Sequence, residues 1–181
     1  MSNQQLILAF FADEATADDA VATLKQWDRA NDDIRFGAIG VLVKDADGKI
    51  KAHKAGTRAG KKGAKTLAVV GALAGVLSGG LTVIGGIVGG AVMGGVLGAF
   101  FHQGLGLSKE DLARISGELD GGKAAVGLIV KTGEVAMISE ALTSLGGRLE
   151  TYAVTDEAVE QAVASAEAEA EAAPDADATK E

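Results

Sequence analysis

Apolar and polar positions alternate along this chain with periods that change from segment to segment. Leu6 to Phe11 (LILAFF) is a short continuous apolar run, the pattern of a strand buried on both faces. Thr16 with Asp19 three residues later reads as a helix start of capping-box type, with Asp in place of Glu. Ala17, Ala20, Val21, Leu24 and Trp27 then recur at helical spacing, with Asp18, Asp19, Lys25 and Asp28 on the opposite face. Trp27 is placed at the core edge of that helix rather than in a ligand platform. Ile34 to Lys44 and Ile50 to Lys54 predict two more strands, joined by a turn at Asp45-Ala46-Asp47-Gly48 with glycine where positive φ is needed. Those aspartates do not open a calcium loop, because Ala52, His53 and Lys54 stand where acidic ligands would have to follow.

A different pattern then takes over. From Thr66 to Phe101, 36 consecutive residues carry no charge. Gly71, Gly75 and Gly79 fall four apart, as do Gly86, Gly90, Gly94 and Gly98, so each set lies on one helical face and leaves a groove for another backbone. Each interior glycine costs a helix about 1 kcal/mol relative to alanine. Close helix approach of the small-xxx-small kind compensates for that cost. The stretch is therefore read as a glycine-zipper helical hairpin, with the seven glycines as its helix-packing residues.

Beyond it, Ser108 with Asp111 opens a helix whose apolar face is Leu112, Ile115 and Leu119, ended by Gly121-Gly122. Lys123 to Lys131 predicts a fourth strand, Glu134 to Leu145 a helix closed by Gly146-Gly147, and Leu149 to Val154 a fifth strand. The fold class is thus α+β. The first six elements follow a ferredoxin-like β-α-β-β-α-β succession, one further α-β unit closes the sheet, and the hairpin interrupts the third strand-to-helix connection. The interrupted domain covers residues 4–154, the hairpin 66–101 and an Ala/Glu-rich tail 155–181, helical at first and disordered beyond.

Charge refines this picture. The net charge of −8 belongs wholly to the tail, where nine acidic residues face one lysine, and residues 1–154 balance to zero. Lys49 to Lys65 carries seven basic residues and no acidic ones. Of these, Lys54, Arg58, Lys61, Lys62 and Lys65 are the candidate membrane-surface residues, suited to anionic headgroups and to the positive-inside rule. Lys49 and Lys51 equally suit the solvated face of an edge strand. A two-span hairpin needs about 40 residues, slightly more than the uncharged run supplies, so a short or re-entrant hairpin is expected. A single span is rejected, because it would put the two halves of one sheet on opposite sides of a bilayer. The alternative is a soluble oligomer whose hairpins bury one another.

The segment Val43 to Lys49, the lead-in Gly60-Lys61-Lys62-Gly63-Ala64-Lys65, the Gly-x-x-x-Gly run and the segment Asp111 to Val130 also carry a resemblance. Over residues 4–154 the chain resembles a family of uncharacterised bacterial predicted membrane proteins, a domain of unknown function in which a ferredoxin-like frame carries a glycine-rich hydrophobic hairpin. The resemblance implies that architecture and membrane association. It implies no catalytic residues.

Chemistry-bearing motifs are sparse. There is no cysteine, and His53 and His102 each lack a metal-ligand partner one helical turn away, so neither a disulfide, a thiolate nor a zinc site is expected. Ser78 and Ser108 lack a nucleophile elbow, and Gly60-Lys61-Lys62-Gly63 is not a phosphate loop. The acidic tail would repel a nucleic-acid backbone. Met1 to Gln5 lacks a basic n-region and Leu6 to Phe11 is too short for a leader, so both termini and the α+β domain are expected on the cytoplasmic side. The expectation is a non-enzymatic, cofactor-free membrane protein that forms homo-oligomers through glycine-zipper transmembrane hairpins. Its alternative is a soluble oligomeric binding or regulatory module in the cytoplasm.

Overall fold

The computed structural model describes residues 4–30, 39–54, 68–74, 77, 107–162 and 164. Its centre is Leu6 to Phe11, none of which is more than 4% exposed. They belong to β1 (Gln4–Phe11), which is followed by α1 (Glu14–Ala30), β2 (Gly40–Lys44) and β3 (Ile50–Lys54). A helix over residues 68–74, α2, comes next, with Leu77 also helical. Then follow α3 (Lys109–Glu118), β4 (Ala124–Lys131), α4 (Val135–Ser144), β5 (Arg148–Val154) and a helix over residues 156–162, α5.

The five strands form one sheet in the order β3-β2-β4-β1-β5, and every neighbouring pair is antiparallel. Alternation along each strand assigns side chains to two layers. Ile7, Ala9 and Phe11 face α1 and α4, packing with Val21, Leu24, Ile138 and Leu142. Leu6, Leu8 and Phe10 face the other way, into a core shared with α2, α3 and α5. The two-sided burial read from LILAFF is what the sheet has.

Most boundaries follow their sequence signals. Ser108 and Asp111 form the expected reciprocal capping box at α3. Gly48 turns the β2–β3 hairpin at φ 77°, while Asp45 Oδ1 accepts from the Asp47 and Lys49 amides. The start of α1 differs. Asp13, not Thr16, caps it, accepting from both the Thr16 amide and the Thr16 hydroxyl at 2.7 Å. Thr16 is the third helical residue, where its hydroxyl serves the cap. The helix accordingly begins three residues earlier, and residues 34–38 of the expected second strand lie outside the described residues.

Strand order also differs from the expected succession. There the third strand would sit beside the first, but β4 takes that place and β3 lies at the outer edge. Composition explains the exchange. β4 (AAVGLIVK) is buried on both faces for most of its length and suits the middle of a sheet. β3 (IKAHK) alternates basic with apolar residues, and an edge tolerates lysine.

The uncharged run required the largest correction. The transmembrane hairpin is not found: no helix among the described residues is long and apolar enough to cross a membrane. The reason is visible in α2. Val69, Val70 and Leu73 are fully buried against the sheet, and Ala68 and Ala74 nearly so, so this part of the run is spent on the protein's own core. Val70 lies directly over Gly40 and Gly127, which are cross-strand partners on β2 and β4. Leu77 packs against the same core cluster, and so do Leu107 and the apolar face of α3.

Because α2 completes the core, Leu73→Ala is expected to lower unfolding free energy by about 2–5 kcal/mol, the range for a buried leucine. Met137→Ala on the exposed side of α4 should stay within about 0.5 kcal/mol of the parent. Urea denaturation followed by circular dichroism separates the two, and equal transitions would remove α2 from the core.

Candidate functional site

The densest polar constellation among the described residues lies where α3 crosses the edge strand β5. On α3, Asp111, Arg114 and Glu118 fall at helical spacing on one side. On β5, Arg148, Glu150 and Tyr152 alternate onto the face that carries Phe10, Leu8 and Leu6, their register partners on β1. The 3.6-residue and two-residue periods therefore place three polar side chains against three.

The contacts interlock. Arg114 donates to Asp111 Oδ1 at 2.7 Å, to the Tyr152 hydroxyl at 3.0 Å and to Glu150 Oε2 at 3.3 Å. The Tyr152 hydroxyl donates to the same Glu150 oxygen. Arg148 donates to Glu150 Oε1 at 3.0 Å and pairs with Glu118 Oε2 at 2.7 Å, while its guanidinium lies 5.0 Å from the Phe10 ring centroid. Lys123 approaches Glu118 at 3.9 Å. Three cations thus meet three carboxylates.

Ionisation follows from this geometry. Burial is the largest influence on the Glu150 carboxyl and acts to raise its pKa. Hydrogen bonds from Tyr152 and Arg148, with the charges of Arg114 and Arg148, outweigh burial and leave the pKa lowered. Tyr152 is pushed up to about 12, first by burial and then by its bond to Glu150. Hydrogen bonds from the Ser108 side chain and backbone lower Asp111. A general base needs a free lone pair and a pKa near the working pH. Glu150 has its oxygens occupied and its pKa moved the wrong way, so the arrangement is a clamp between helix and strand.

The sequence pattern marks Asp111 only as a helix cap and does not single out Arg114, Glu118, Arg148, Glu150 or Tyr152. Their signal was present, as charges at positions 111, 114 and 118 beside an Arg-x-Glu-x-Tyr alternation, but nothing in the sequence brings α3 onto β5. Of the residues it did single out, Gly71 lies in α2 and is buried, and Lys54 ends β3. Gly75, Gly79, Gly86, Gly90, Gly94 and Gly98 lie outside the described residues, as do Arg58, Lys61, Lys62 and Lys65. Of these positions the described residues place Gly71 in the core. Among the described residues there is no cluster of three metal-ligating side chains, and no buried side-chain polar atom lacks a partner.

Two outcomes follow from the ionisation states. A depressed carboxyl stabilises the fold above its unfolded pKa, here near 4.5, and that contribution is lost as pH falls through the lower folded value. Glu150→Gln should therefore lose about 1 kcal/mol at neutral pH, a modest figure because the arginine partners are half exposed. The gap to the parent should close in acid, as measured by denaturant titrations across pH. Tyr152 is the chain's one tyrosine, so tyrosinate absorbance reads it alone. Its midpoint should lie near 12 in the folded protein and near 10 after denaturation, with stability falling across that interval as pH rises.

Comparison of the chain with protein-family models, with curated proteins and with solved structures finds no match, so its function is argued from its own geometry.

Proposed function

We propose that this protein is a non-catalytic, self-associating α+β module whose uncharged segment beyond Leu77 is buried between copies. Its frame is ferredoxin-like in the circuit β1-α1-β2-β4-α4-β5. In that circuit β3, the uncharged run and α3 are an insertion between the second and third frame strands, and α5 is an addition after the fourth. The observation that carries the reading is the placement of the run's two flanks. Residues 68–74 on one side and Leu107 with α3 on the other belong to a single core cluster on one face of the sheet.

The segment between them includes residues 78–101, all uncharged, with the ladder Gly86, Gly90, Gly94 and Gly98. A segment apolar on all sides has to be covered. In this reading other copies cover it, because the described part of the same run is already covered by protein. Closed point-group association is the usual outcome for such a surface. The α3–β5 clamp supports the reading by holding the returning helix against the frame.

Sedimentation velocity in detergent-free buffer tests the proposal. An oligomer is expected for the parent, and a shift to smaller species for Gly90→Leu combined with Gly94→Leu. A monomeric parent, or one recovered only by flotation with vesicles of anionic phospholipid, overturns it.

A further inference from the structure

Resting on the proposed self-association, we infer that Val70 and the Gly40–Gly127 pair form a seat that governs how the uncharged segment is offered to other copies. The two glycines are directly opposed in the β2–β4 register, so together they make a side-chain-free floor in the middle of an otherwise filled sheet face. Val70 is fully buried and occupies that floor. A Cβ built on Gly40 would lie 2.6 Å from Val70 Cγ1, and one built on Gly127 would lie 2.8 Å from Val70 Cγ2. Neither distance is tolerated between carbon atoms, and both obstacles belong to one β-branched side chain with little rotamer freedom. Other contacts of α2 are between ordinary apolar side chains, which slide and repack. The Val70 contact fixes both the height of α2 above the sheet and its rotation. It sits seven residues before Leu77, so it sets the position from which the segment departs.

An intact seat keeps Val69, Val70 and Leu73 on the chain's own sheet and presents only the segment beyond Leu77. An obstructed seat lifts α2, adds those side chains to the associating surface and replaces a closed oligomer with a heterogeneous one.

The geometry makes the rescue asymmetric. Against Gly127 the one atom that intrudes is Val70 Cγ2, which Val70→Ala removes; Leu8 Cδ2 at 3.4 Å and Val70 Cγ1 at 3.6 Å are in ordinary contact. Against Gly40 the Val70 Cβ itself lies at 2.9 Å, and alanine retains it. The full chain is compared as Gly127→Ala, Gly40→Ala and each of these combined with Val70→Ala, using sedimentation velocity and hydrogen exchange of the amides of residues 68–74. Gly127→Ala is expected to broaden the size distribution and to speed exchange at least about tenfold. Adding Val70→Ala should return both to near the parent, whereas the Gly40→Ala pair stays altered. If Gly127→Ala gives no soluble protein, recovery of soluble oligomer in the double variant sustains the inference and its absence overturns it. Parent-like behaviour of Gly127→Ala, or equal rescue of both glycine variants, also overturns it. A monomeric parent removes the association reading itself, whereas an oligomeric parent unaffected by the seat variants removes this inference alone.

Discussion

The structure depends on a sheet whose central strands have no solvent on either face. A strand buried on both sides cannot be satisfied by one helical layer, so the chain must supply two. One comes from α1 and α4, the crossover helices that join parallel-running strands across an intervening neighbour. The other is assembled from segments with no such obligation: α2 from the uncharged run, α3 from the chain that returns after it, and α5 from the start of the acidic tail. Without these three, Leu6, Leu8, Phe10, Leu42 and Ala125 would face water.

That second layer is held by unlike means at its different members. At α2 the contact is steric, a valine over two opposed glycines. At α3 apolar burial through Ile115 and Leu119 is supplemented by charged pairs reaching across to β5. At α5 it is small-residue packing, with Ala158, Val159 and Ala162 on the core. Charge-assisted bonds suit the place where they occur, because β5 is an edge strand and its outward residues stay hydrated. An interior site for the same six charges would have cost far more than it returned.

Much of this was legible in the linear pattern. The period changes at Phe11, Lys44 and Lys131 mark real strand ends, and the Ser108–Asp111 and Asp45–Gly48 motifs do locally what their chemistry requires. Errors came where local chemistry was ambiguous or where the answer was non-local. Asp13 and Thr16 are both good caps three residues apart, and only the fold decides between them. The apolar stretch at Ala68–Ala74 has the composition of a lipid-facing helix because a helix enclosed by protein on all sides has the same composition. Strand order was hidden too, since the place of β4 between β1 and β2 depends on pairings remote in sequence. The α3–β5 clamp was invisible for that reason, its halves being unremarkable charges until the sheet aligns them.

The central place of β4 has a consequence for biogenesis. On the ribosome the chain emerges from its amino end, and β1 finds its inner neighbour only when Ala124–Lys131 appears, Phe11 then meeting Ala124 and Gln4 meeting Lys131. Until then β1 and α2 are both synthesised without the strand that completes the sheet they pack on. Such late closure is slow and leaves nascent apolar surface open to other molecules. The interval in which that surface stands open lasts until the final third of the chain has been translated, because β4 lies there.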